Sequence, residues 1–121
     1  MPMMRLAILL CLLAFPAVAA ERGFSTYDGD TTRATFRIAN IDAPEINGQC
    51  DSERKLAIKA RDFTRAWLAK GNVTMRQEHP RGIDPYGRVL VLIERDGEDL
   101  GLALIKTGLA RPWDGKRRSW C

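Results

Sequence analysis

One histidine in 121 residues is the first constraint on this chain. His79 stands beside Pro80 in a loop-like stretch, without His or Cys neighbours at metal-ligand spacing, so a zinc site of the usual pattern is excluded. Glycine-rich loops that cradle nucleotide phosphates and serine-centred nucleophile turns are missing too. Beyond the first twenty residues no stretch is long or apolar enough to cross a bilayer. There is no repeat, no low-complexity segment and no internal linker. Excess charge is small: 19 basic against 15 acidic residues give a formal +4, which by itself argues only weakly for a polyanionic partner.

What is there begins with a leader. Met1 to Arg5 carries one positive charge, Leu6 to Ala14 is almost wholly apolar, and Ala17-Val18-Ala19 offers small residues for cleavage. Residues 1–20 therefore read as a secretory signal peptide, since the apolar run falls short of the ~20 residues a membrane span needs. An uncleaved membrane anchor is the alternative. Export would leave residues 21–121 as one compact domain, periplasmic or secreted, away from the membrane and expected to be a monomer. Cys11 would leave with the leader. Cys50 and Cys121 then remain, an even count that invites a disulfide in an oxidising compartment; two free thiols are the other possibility.

The rest of the chain reads as alternating short elements. Glu21 to Tyr27 predicts a strand, and Thr31 to Ile41, rich in threonine and β-branched residues, predicts one or two more. Ala43-Pro44-Glu45 ends that run. Asp51 or Ser52 is placed to cap a helix, with Glu53 in its positive first turn. Leu56, Ala60, Phe63 and Trp67 follow on one stripe, leaving Lys55, Lys59, Arg61 and Arg65 on a solvated face. Lys70-Gly71-Asn72 stops the helix. Val73 to Gln77 alternates as a strand, and Val89 to Ile93 is a continuous apolar run, hence a buried strand. Asp96-Gly97 turns the chain, and Asp99 to Thr107 predicts a second helix ended by Gly108. This order suits an α+β fold: a small antiparallel barrel with two helices packed on it.

Three turn-like motifs carry the chemistry: Asp28-Gly29-Asp30-Thr31, Ile41-Asp42-Ala43-Pro44-Glu45 and Asp84-Pro85-Tyr86-Gly87-Arg88. Asp30, Asp42 and a backbone carbonyl near Ala43 could pool oxygen ligands for a hard cation. An Asp-Gly-Asp turn whose carboxylates bond the local backbone is the plainer reading. Arg37 lies in a β-rich segment; if it points inward it needs an anion, either a carboxylate or a phosphate. Arg88 opens a buried strand directly after a glycine turn, and a structural ion pair with a neighbouring aspartate is its alternative. Glu45 could orient an attacking water. Together these are the parts a metal-assisted phosphodiesterase needs. Trp113 is placed either to stack on a base or to pack as core or lid, and the basic Arg111 to Arg118 segment could attract a phosphate backbone regardless of sequence.

Taken in order, these motifs with Arg37, Gly108-Leu109-Ala110 and the ending through Trp113 and Trp120-Cys121 resemble the staphylococcal nuclease family, in particular its short exported bacterial members. The resemblance implies a five-stranded antiparallel OB-fold barrel, a Ca2+ cofactor, and DNA and RNA as substrates. It implies calcium ligands at Asp30, Asp42 and the main chain of Ala43, with Asp28 behind them. It further implies phosphate-clamping arginines at 37 and 88, a general base at Glu45, and substrate contact by Tyr86. Three departures stand out. The strand before Asp28 is brief, and its last residues, Thr26-Tyr27, are less apolar than usual. Arg37 follows Asp30 by only seven positions, which shortens the second and third strands. Pro85 stands where the family prototype has a lysine. A non-catalytic OB-fold module that binds single strands is the main rival, and a disulfide-stapled module that binds another protein is a further one.

Overall fold

The computed structural model describes residues 24–77 and 82–121. The leader at residues 1–20 and His79 with Pro80 lie outside the described residues. Ten elements follow one another: β1 (Phe24–Asp28), β2 (Thr31–Ala34), β3 (Phe36–Ile38), β4 (Ile41–Asp42), α1 (Asp51–Ala69), β5 (Thr74–Gln77), β6 (Val89–Arg95), β7 (Glu98–Asp99), α2 (Leu100–Lys106) and β8 (Arg111–Pro112).

β6 organises the molecule. Its Val89, Leu90, Val91 and Ile93 are buried, as a run of apolar, mostly β-branched residues requires. It pairs parallel to β3 and antiparallel to β5, and β7 folds back on it. The β6–β7 hairpin turns through Asp96 and Gly97, both at positive φ (51° and 78°), the backbone a tight two-residue hairpin demands. β1 with β2 makes a separate antiparallel ribbon, and β4 with β8 a third sheet.

The α+β class is therefore as expected, but the strands of the described residues are not closed into a barrel. The break falls at Thr35. Its carbonyl accepts the amide of Val89 at 2.8 Å, so the chain joins β6 only from that point, while β1 and β2 pair with each other. The short connection noted in the sequence leaves little strand to bridge the two sheets. β8 was not anticipated at all: two residues long, it owes its existence to partners far away in the chain, Ile41 and Asp42.

Helix α1 begins at Asp51, so the residue expected as a cap is instead the first residue of the helix. Cys50 takes the N-cap position and no side chain caps the helix. Glu53 lies in the first turn as expected, and it is buried. Its carboxylate leaves the helix end to accept the backbone amides of Glu45 (3.0 Å) and Gln49 (3.1 Å). At the other end α1 has no basic residue in its last turn. Arg95 of β6 supplies one, donating to the carbonyls of Trp67 and Gly71 while lying over the Trp67 ring, so a cation meets the negative helix end. Ala60 and Trp67 of α1, Val89, Val91 and Ile93 of β6, Ile41, Ala110 and the two fully buried leucines of α2, Leu100 and Leu104, form one core. Lys55, Lys59, Arg61 and Arg65 are exposed as expected. The helix α2 is capped by Asp99, whose side chain accepts the amide of Leu102 at 2.8 Å, a contact of the kind that contributes about 1 kcal/mol.

Candidate active site

A cleft of about 990 Å3 opens where β3, β4, the 83–88 turn and the C-terminal segment meet. It is lined by Arg37, Asp42, Glu45, Tyr86, Arg88 and Trp113, six residues that the sequence singled out, together with Asp84, Asp114 and Arg117. Residues from 37 to 117 thus converge on one concavity.

Each is positioned by identifiable bonds. Arg37 leaves β3 half-buried and donates to the carbonyls of Ile38 (3.1 Å) and Ile41 (3.3 Å). Its guanidinium lies 5.0 Å from the centroid of the Trp113 ring. Glu45 sits on a loop that the Glu53 carboxylate fixes from below, and Arg54 secures the same loop by donating to the Gly48 carbonyl at 2.7 Å. Arg88 is held by Asp84. That carboxylate accepts Arg88 Nε at 2.6 Å and also the backbone amides of Tyr86 (3.0 Å) and Arg88 (2.9 Å). Tyr86 itself is 85% exposed, with the Arg88 guanidinium 5.4 Å from its ring centroid.

The charges are unevenly matched. Four carboxylates line the cleft, and each has its own arginine: Asp42 with Arg111, Glu45 with Arg117, Asp84 with Arg88 and Asp114 with Arg118. Arg37 is the exception, with no carboxylate in salt-bridge range among the described residues. Burial, reinforced by the like charge of Arg88, lowers its pKa from the ordinary arginine value; Asp84, Asp42 and Glu45 oppose that shift from a distance. A guanidinium nonetheless stays protonated at neutral pH. A half-buried cation short of counter-charge and close to a second one favours an anion between them. For Asp84 burial would raise the pKa, but the Arg88 amide, the Arg88 side chain and charge, and the Tyr86 amide outweigh it and hold the carboxyl below its usual value.

Of the expected cation ligands, Asp42 lines the cleft, while Asp30, Ala43 and the supporting Asp28 are not among its lining residues. Asp28 and Asp30 occupy the exposed β1–β2 turn, away from the cleft lining, where the Asp30 amide donates to Asp28 (3.3 Å) and Thr31 bonds Asp30 (3.3 Å). This is the plainer reading of an Asp-Gly-Asp turn. The carboxyl of Asp28 is held below its usual value, chiefly by its hydrogen bond with Asp30. Asp42 is buried, and its Oδ2 accepts from Arg111 at 2.8 and 2.9 Å. Ala43 packs against the core. No group of three His, Cys, Asp or Glu side chains suited to a metal exists among the described residues. As arranged, Asp42 is committed to Arg111 and Asp30 is bonded within its own turn, so the donor set does not fit Ca2+ without rearrangement.

Cys50 and Cys121 are joined in a disulfide that closes a 71-residue separation. Four contributors to the site went unassigned in the sequence: Asp84, Glu53, Arg111 and Arg117. Asp84 was in view as a turn residue, and its place four positions before Arg88 was the available signal. Arg111, Arg117 and Arg118 read as a freely attractive basic segment, whereas each is paired to an acid. The model of the staphylococcal nuclease homologue family matches residues 35–119, which takes in every residue lining this cleft and leaves out the Asp28–Thr31 turn. On the extent of that match, the chain belongs to the staphylococcal nuclease homologue family.

Proposed function

We propose that this chain is an exported nuclease that hydrolyses phosphodiester bonds of DNA and RNA in the cleft between Arg37, Glu45 and Arg88. The observation that carries the reading is the unmatched Arg37: four lining carboxylates are neutralised one for one, and the remaining guanidinium faces a space with no counter-charge of its own. A phosphodiester fits that deficit. Arg88, aimed by Asp84, offers a second planar donor fork, and two such forks favour the added negative charge of a phosphorane over the ground-state ester. Glu45 stands at the same cleft, where it can accept a proton from an attacking water. Tyr86 and Trp113 flank the arginines as apolar surfaces for the sugar or base. The three sheets are read as a partly open OB-type barrel. The leader supports export, and the disulfide suits an oxidising compartment.

Calcium is part of what the family resemblance implies. It would have to displace Arg111 from Asp42, so no step of this reading passes through the metal. The test is digestion of single-stranded DNA, duplex DNA and RNA by the mature chain, in calcium and in chelator. Cleavage in the calcium buffer is expected. Cleavage that persists in chelator removes calcium from the reading, and binding without turnover in either buffer overturns the nuclease assignment in favour of a non-catalytic binder.

A further inference from the structure

We infer that Arg117 is a third phosphate-binding side chain of the cleft, delivered by a C-terminal strap that the disulfide ties down, and that it leaves Glu45 for the phosphate when nucleic acid binds. This rests on the cleft being a nucleic-acid site, as proposed above.

The strap is fastened at both ends. At its start the Trp113 amide donates to the Asn40 carbonyl at 3.0 Å, beside the β4–β8 pairing. At its end Cys121 is bonded to Cys50, at the N-cap position of α1. Between them the Arg111 guanidinium lies over the Trp120 ring and donates to the carbonyls of Arg118 and Ser119. Gly115, at φ +95°, turns the strap. Arg117 is thereby carried back into the cleft, 2.9 Å from Glu45 and 3.6 Å from Glu53.

Those two partners differ in kind. Glu53 is buried and already accepts two backbone amides, so it holds the loop and has little left for Arg117. Glu45 and Arg117 are both about half exposed, at 52% and 54%. Ion pairs of that exposure are weak and exchangeable. A phosphate presents a guanidinium with two parallel oxygens, a better match than one carboxylate oxygen, and exchange would leave Glu45 free to bind water. As arranged, the pair stores the third cation and shields the proposed base together. One movement releases both.

The test is fluorescence anisotropy of a labelled single-stranded oligonucleotide over a salt series, with steady-state cleavage measured in parallel. Arg117→Gln should weaken binding about tenfold and reduce the salt slope by about 0.7, the value for one lost phosphate contact on a single strand. Arg117→Lys keeps the charge and should keep the slope. KM should rise in Arg117→Gln while kcat does not fall. Cys50→Ser combined with Cys121→Ser should reproduce the loss of affinity, and adding Arg117→Gln to that pair should weaken binding no further. Unchanged affinity and slope in Arg117→Gln would overturn the inference. So would a fall in kcat at constant KM, which would make Arg117 a residue that only orients Glu45. A wild-type chain that binds with the expected slopes but never cleaves would overturn the nuclease reading and leave this inference standing.

Discussion

Replacing Asp84 by asparagine probes how the cleft holds its arginine. The shape is kept, and the amide oxygen can still accept the Tyr86 and Arg88 amides at the positions now served by Asp84 Oδ1. The new NH2 group, however, faces Arg88 Nε–H, where Oδ2 now accepts at 2.6 Å. A charge-assisted bond becomes a donor facing a donor. Such bonds contribute about 1.5–3 kcal/mol, and because the Arg88 side chain is 37% exposed, water recovers part of the loss; the expected cost is about 2 kcal/mol. For a domain of this size that lowers Tm by roughly 8–15 °C. The pH dependence has a definite sign. Since the folded carboxyl is held below 3.8, its stabilising contribution is present above that value and disappears as pH falls through the lower, folded one. Urea melts of wild type and Asp84→Asn should therefore differ by a constant amount from about pH 8 to about pH 5 and converge below about pH 4. A difference under about 0.5 kcal/mol, or one that grows on acidification, would refute the bonding described for Asp84.

Two further outcomes concern the scaffold. Reducing the Cys50–Cys121 bridge frees a 71-residue loop and should cost about 4 kcal/mol in the chain-entropy account, measured as a lower Tm in reductant; an unchanged Tm would mean the bridge carries no stability. Gly101→Ala should destabilise by about 1–3 kcal/mol, because the new Cβ would lie 2.5 Å from Asn40 Oδ1 and 3.0 Å from Ile41 Cγ2 in a buried part of α2. A stability equal to wild type in denaturant would contradict that close packing.

What could be read beforehand follows from how local each signal is. The runs at Val89 to Ile93 and from Leu56 to Trp67 announce their elements because burial is written into consecutive or helically spaced residues. β8 could not be read that way: Arg111 and Pro112 become a strand through Ile41 and Asp42, some seventy residues earlier. The same holds for the site. Arg37, Glu45 and Arg88 were recognisable because charged residues in or beside β-rich segments and stiff turns need a reason. The carboxylate partners were not, since Asp84 resembles an ordinary turn former and Glu53 an ordinary helix-start acid. Only folding sets Glu53 under Glu45, and brings Arg117 seventy-two positions along the chain to meet it. The pairing of Asp42 was illegible for a related reason: spacing alone does not reveal that Arg111 occupies it.

In the proposed function Arg37 stands without a carboxylate because its partner is a substrate phosphate. The direct measurement is the single-turnover cleavage rate of an oligonucleotide by Arg37→Gln, beside a thermal melt of the same protein. The expected result is a loss of at least about two orders of magnitude in rate with little change in Tm, since one oriented donor to a developing oxyanion is worth that much. A rate within about twofold of wild type would contradict the account.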